Sequence, residues 1–93
     1  GASIQYDRAV VKYEEQQVEL TKNELFLLKV LVQQAGQIVP REELMRKLWD
    51  DERFVNDNTL TVNVNRLRQR LEEIGLVDVI VTKKGLGYMA VMR

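Results

Sequence analysis

The stretch Thr59-Leu60-Thr61-Val62-Asn63-Val64-Asn65-Arg66-Leu67-Arg68-Gln69-Arg70-Leu71-Glu72-Glu73-Ile74 decides the fold. Its apolar residues Leu60, Val64, Leu67, Leu71 and Ile74 are spaced 4, 3, 4 and 3 apart. That spacing lines one side of an α-helix and predicts a single buried stripe. Thr59, Val62, Arg66, Gln69, Arg70 and Glu73 then fall away from the stripe, with Asn65 and Arg68 on one flank. We expect a helix over residues 58–74, capped by Asn58 or Thr59 and stopped by Gly75. Its outer face is mostly Thr, Asn, Gln and Arg, side chains that pair with base edges and phosphates. Arg can bond guanine through two donors, and Asn or Gln can pair with adenine. Outward-facing Val62 is odd on a solvated helix but suits a thymine methyl.

Working outward, residues 50–57 (Asp50-Asp51-Glu52-Arg53-Phe54-Val55-Asn56-Asp57) are acidic and lack a helical stripe, so they read as a loop. Before them a short helix spans residues 40–49, opened by Pro40, with Leu44, Leu48 and Trp49 on one side. Ile38-Val39 reads as a short strand. Upstream again, Thr21-Lys22-Asn23-Glu24 is a capping box. It starts a helix over residues 21–35 with apolar residues on nearly every face, ended by Gly36 as the first residue past the cap. Residues 3–20 read as three strands, Ile4–Tyr6, Ala9–Tyr13 and Gln16–Leu20, turning at Asp7-Arg8 and Glu14-Glu15. Downstream, Val79–Thr82 and Tyr88–Val91 are strands joined by Lys83-Lys84-Gly85-Leu86-Gly87, a hairpin over residues 79–91. A short helix followed by a longer one is a helix-turn-helix arrangement, and the cationic hairpin after it would form a wing.

Composition limits the chemistry. Ninety-three residues make one domain, 45% hydrophobic and 30% charged, a globular balance. With no cysteine and no histidine, the chain has no disulfide, no Cys/His zinc site, no thiol nucleophile and no histidine-based triad. No cofactor or metal is expected. Glu14-Glu15 and Asp50-Asp51-Glu52 lack an apolar pocket to shift a carboxyl group, and read as solvated charge rather than catalytic pairs. An enzyme is therefore not expected. The longest apolar stretch, Leu25 to Val32, contains Lys29 and is too short to span a bilayer. No basic stretch followed by an apolar one opens the sequence, so no secretory leader is expected and a cytoplasmic location is the default expectation. The lack of an initiator Met at Gly1 suggests a piece of a longer protein.

The formal net charge is zero, which argues at first against a polyanionic partner. Its distribution argues the other way. Residues 1–58 carry 8 Lys/Arg and 11 Asp/Glu, and residues 59–93 carry 6 and 3. The cationic excess lies in the long helix and the hairpin. A single arginine on a helix usually does no more than solvate it. Here three arginines, the amide side chains and the basic hairpin occur together.

The order of these pieces resembles the C-terminal effector domain of OmpR/PhoB-family bacterial response regulators. Four motifs carry the resemblance across nearly the whole chain. They are Leu20-Thr21-Lys22-Asn23-Glu24-Leu25-Phe26-Leu27-Leu28, Val39-Pro40-Arg41-Glu42-Glu43-Leu44 through Leu48-Trp49, Thr59 through Arg68, and Thr82-Lys83-Lys84-Gly85-Leu86-Gly87-Tyr88. Within that family the likeness is greatest to regulators that answer bacitracin and other cell-envelope peptides. The resemblance implies an α+β winged helix-turn-helix with an N-terminal antiparallel sheet, three helices and a C-terminal β-hairpin wing. The family's N-terminal sheet has four strands, and only three are legible here.

The resemblance also implies roles. Arg66 falls at a base-contacting position, Arg68 at a phosphate contact, and Thr82 and Lys84 at DNA-contacting wing positions. With Thr59, Thr61, Val62, Asn63, Asn65, Gln69, Arg70 and Lys83 they form the candidate DNA-binding set. Thr61, Asn63 and Asn65 depart from the family's usual residues, and Lys84 replaces its common wing arginine, so a different base preference is expected. The implied partners are double-stranded promoter DNA, as two half-sites bound by a dimer of the full-length protein, and a sensor histidine kinase. That kinase would act through a phosphorylated receiver domain absent from this sequence. The acidic loop would be repelled by phosphate. Asp50, Asp51, Glu52, Arg53 and Asp57 are therefore expected to face a protein, which the resemblance suggests is RNA polymerase. The alternative is a winged-helix protein-interaction module that does not bind DNA.

Overall fold

The computed structural model describes residues 2–50 and 56–91. The chain opens with three short antiparallel strands, β1 (Ala2–Gln5), β2 (Val10–Tyr13) and β3 (Gln16–Glu19), in the order β1-β2-β3. Their turns fall at the expected charged pairs, Asp7-Arg8 and Glu14-Glu15. The register sets buried Val11 opposite Ile4 on one side and Val18 on the other. This apolar cross-strand row packs on the core and fixes which face of the sheet turns inward.

Helix α1 (Lys22–Gln33) starts at the expected capping box. The Glu24 backbone N–H donates to Thr21 Oγ1 at 3.2 Å, and the Thr21 N–H donates to Glu24 Oε1 at 3.0 Å. Leu27, Leu28, Val30 and Leu31 are buried. The helix ends earlier than expected. Gln34 is the cap, so Gly36 is the second residue beyond it rather than the first. At φ 84° Gly36 turns the chain so that its N–H reaches the Ala90 carbonyl at 2.8 Å.

Helix α2 (Arg41–Asp50) follows Pro40, whose carbonyl accepts from the Leu44 N–H at 3.1 Å. Leu44 and Leu48 are buried. Trp49, expected on the same side, is instead 62% exposed. It follows Leu48 directly, and one helical residue turns it by about 100° off the buried line.

Helix α3 (Asp57–Glu73) begins one residue before the expected start. Its cap is Asn56, not Asn58 or Thr59. Asn56 is extended and accepts from the Thr59 N–H at 2.8 Å, whereas Asn58 and Thr59 are already helical. Leu60, Val64, Leu67, Leu71 and Ile74 are all buried. At the far end Gly75 (φ 92°) lets its own N–H reach the Glu72 carbonyl and the Leu76 N–H reach the Leu71 carbonyl, a Schellman cap.

Strands β4 (Ile80–Lys83) and β5 (Gly87–Ala90) form the closing hairpin, each within a residue of its expected bounds. Lys84, Gly85 and Leu86 make the turn. Ile38-Val39 contributes a single bridge rather than a strand: Val39 exchanges both backbone bonds with Tyr88, at 2.7 and 3.0 Å. The core gathers around α1, which packs on α3, α2 and β5. No helix among the described residues is long and apolar enough to cross a membrane.

Candidate nucleic-acid interface

The burial of one side of α3 leaves the other side outward. Asn58, Thr61, Val62, Asn65, Arg66 and Gln69 are exposed, Val62 by 44%. Among the described residues Arg66 has no intramolecular hydrogen bond or ion pair. Three of the expected polar residues use their donors within the helix. Thr59 Oγ1 donates to Asn56 Oδ1 at 2.9 Å, Thr61 Oγ1 to the Asp57 carbonyl at 3.2 Å, and Asn63 Nδ2 to the Thr59 carbonyl at 2.9 Å. Thr59 and Asn63 are also half-buried. The open surface therefore narrows to Val62, Asn65, Arg66 and Gln69, with Asn58 and Thr61 near its N-terminal end.

The other two arginines of α3 are engaged by the protein itself. Arg68 donates from Nε to the Ile80 carbonyl at 3.2 Å, from Nη2 to Thr82 Oγ1 at 2.6 Å and from Nη1 to Asn65 Oδ1 at 3.3 Å. It fastens the wing to the helix. Arg70, expected in the DNA-binding set, turns toward α1, with Nε 2.6 Å from Oε1 of fully buried Glu24. Glu24 thus caps α1 and holds α3 through one oxygen. A carboxylate in the core needs a counter-charge, and Arg70, reaching in from the helix surface, supplies it.

The wing presents Thr82 and Lys84 exposed and Lys83 half-buried. Leu86, at its turn, is 62% exposed. Arg41, which sequence reasoning passed over, braces the assembly from α2. Its Nη1 donates to the Tyr88 hydroxyl at 2.6 Å and its Nη2 to the Asp57 carbonyl at 2.8 Å, and its guanidinium lies 5.7 Å from the Tyr88 ring centroid. No local pattern could reveal it, because its partners lie 16 and 47 residues away. Of the acidic loop, Asp50 is the last residue of α2, and Asp57 is the first of α3, paired with Arg41 at 3.3 Å. Asp51, Glu52 and Arg53 lie outside the described residues.

An outward polar helix, a shorter helix before it and a basic hairpin bound to its flank define a winged helix-turn-helix domain. The chain belongs to the family described as transcriptional regulatory protein, C terminal, whose model matches residues 15–90. It is 56% identical over 90 residues to the sensory transduction protein BceR of Halalkalibacterium halodurans, covering 97% of this chain and 39% of that protein. The chain thus spans about two-fifths of the length of this relative. Its fold matches the C-terminal domain of the nisin resistance regulator NsrR, a lantibiotic response regulator, with a TM-score of 0.90 and 32% identity over 100% of this chain and 94% of that one. It also matches the DNA-binding domain of the response regulator AdeR, solved in complex with an intercistronic region. There the TM-score is 0.81 and the identity 25%, over 99% of this chain and 94% of that one.

Proposed function

We propose that this domain binds double-stranded DNA sequence-specifically, as the effector domain of a response-regulator transcription factor. Helix α3 enters the major groove and the β4–β5 wing lies on the flanking groove. The observation that carries the reading is the division of α3, whose apolar stripe is wholly buried while Val62, Asn65, Arg66 and Gln69 stand outward beside a basic wing. Arg66, Asn65, Val62 and Thr61 choose the sequence, and Lys83 and Lys84 contact phosphate. Arg68 and Arg70 hold the reading helix in place.

The finer partners belong to the whole protein. A receiver domain phosphorylated by a sensor histidine kinase would pair two copies on two half-sites in the cytoplasm, in answer to a cell-envelope peptide. The acidic segment between α2 and α3 would meet RNA polymerase, since its charge repels phosphate. Charge reversal there should abolish activated transcription while leaving DNA binding intact, and unchanged activation would refute that role.

Selection of bound sites from a random double-stranded pool tests the central reading. The expected result is a defined motif whose affinity falls as salt rises. Failure to shift any DNA even at low salt would favour a protein-interaction module instead.

A further inference from the structure

The outward face of α3 contains one side chain whose orientation is set by another. Asn65 and Arg68 are three residues apart, hence neighbours on the helix surface. The Arg68 guanidinium is a rigid planar fork of five donors with no acceptor. Its plane is fixed from the wing side, by Nε on the Ile80 carbonyl at 3.2 Å and Nη2 on Thr82 Oγ1 at 2.6 Å. The remaining branch, Nη1, lies 3.3 Å from Asn65 Oδ1. Because guanidinium only donates, only the oxygen of the Asn65 amide can sit there. The amide nitrogen, with two donors, must then point away from Arg68. Asn65 itself is exposed.

We propose that Arg68 sets the base preference of this domain by orienting Asn65, so that Asn65 selects guanine over adenine. The inference rests on the reading of α3 as a major-groove helix. A freely turning asparagine fits adenine best, with Oδ1 on the N6 donor and Nδ2 on the N7 acceptor. An asparagine whose oxygen is turned toward Arg68 presents chiefly its two amide donors to the groove. Guanine presents two acceptors, O6 and N7, whereas adenine presents one, N7, beside the N6 amine donor. Arg68 is thus a positioning residue: it acts on the DNA through Asn65, and the wing acts on Arg68 through Thr82.

The test is site selection from a random double-stranded pool with the wild-type chain, Arg68→Lys, Asn65→Ala, the double variant and Thr82→Val. Lysine keeps the charge but cannot bridge three acceptors in one plane. The wild type should prefer guanine to adenine at one position by about fivefold to tenfold, the worth of one well-placed hydrogen bond. Asn65→Ala should erase that preference. Arg68→Lys should erase or invert it at the same position, with the salt slope unchanged. The double variant should add nothing there to Asn65→Ala alone. Thr82→Val, on the exposed wing strand, should weaken the preference part-way, an arm that remains informative if Arg68→Lys folds poorly. An unaltered motif in both Arg68→Lys and Thr82→Val, or an equal loss on every sequence, would overturn the orienting role while leaving the DNA-binding reading intact. Absence of binding by the wild type to any DNA at low salt would overturn that reading, and the inference with it.

Discussion

Arg66, Arg68 and Arg70 share a residue type and a helix, yet the structure gives them different surroundings. Arg66 stands outward without an intramolecular partner among the described residues. Arg66→Ala should cost about 1–3 kcal/mol of specific binding and relax one base position. Equal losses on specific and random DNA in a gel-shift titration would remove it from base reading. Lys84 is the contrast. Lys84→Ala should weaken all sites alike and flatten the salt slope by about one. Arg70 answers fully buried Glu24 instead. Removing one partner of a buried pair costs about 3–5 kcal/mol. The Arg70 side chain is 37% exposed, so water screens part of that loss. Arg70→Met is expected to cost about 2 kcal/mol and lower Tm by about 8–16 °C in thermal unfolding. Combining it with Glu24→Gln should recover part of the loss, because the stranded charge is gone.

Among the elements, the wing depends most on contacts remote in sequence. Strands β4 and β5 are four residues each, and a lone hairpin of that size is marginal in water. It is secured by the Val39–Tyr88 bridge and by Arg68 and Arg41. At Gly87 the bridge passes so close that a Cβ would overlap the Val39 carbonyl oxygen and lie 2.9 Å from Pro40 Cα. Its φ of 149° is one that L side chains rarely adopt. Gly87→Ala should therefore destabilise by about 3 kcal/mol or more, measured by urea unfolding. Gly85, on the same turn, has open space around its Cβ position. Its substitution meets only the backbone strain of φ 77° and should cost less.

For the molecule as a whole, zero net charge conceals an asymmetry. The wing adds Lys83 and Lys84 with no acid, and from Thr59 onward the three arginines of α3 outnumber Glu72 and Glu73 by one. The anionic excess falls on residues 2–20, with 2 Lys/Arg against 4 Asp/Glu, and on residues 51–57, with one Arg against three acids. A surface so divided orients the domain toward a polyanion but supplies modest non-specific affinity. Joining two domains by a flexible linker should raise affinity for a paired site by about 10²–10⁴ without new contacts. Titration of linked and single domains on one-site and two-site DNA would check this. An equal gain on one-site DNA would point to new contacts instead.

The sequence by itself determined the elements and the outward helix face. The 4-3-4-3 stripe of α3, the Thr21–Glu24 capping box and Gly75 are local signals, readable because helical periodicity and caps act over a few residues. Strand bounds came within a residue or two for the same reason. The sequence does not separate Leu48 from Trp49 in burial, nor Asn56 from Asn58 and Thr59 as the cap of α3, since neighbouring positions on a helix and neighbouring Asn and Thr residues compete on nearly equal terms. Only the tertiary structure separated the polar residues of the face. Locally Glu24 reads as a cap, and only the crossing of α3 brings Arg70 to it; only the placing of β4 beside α3 gives Arg68 its bonds to Ile80 and Thr82. Those contacts join residues 12 to 46 positions apart, where the core sets the partners and no local pattern reports them.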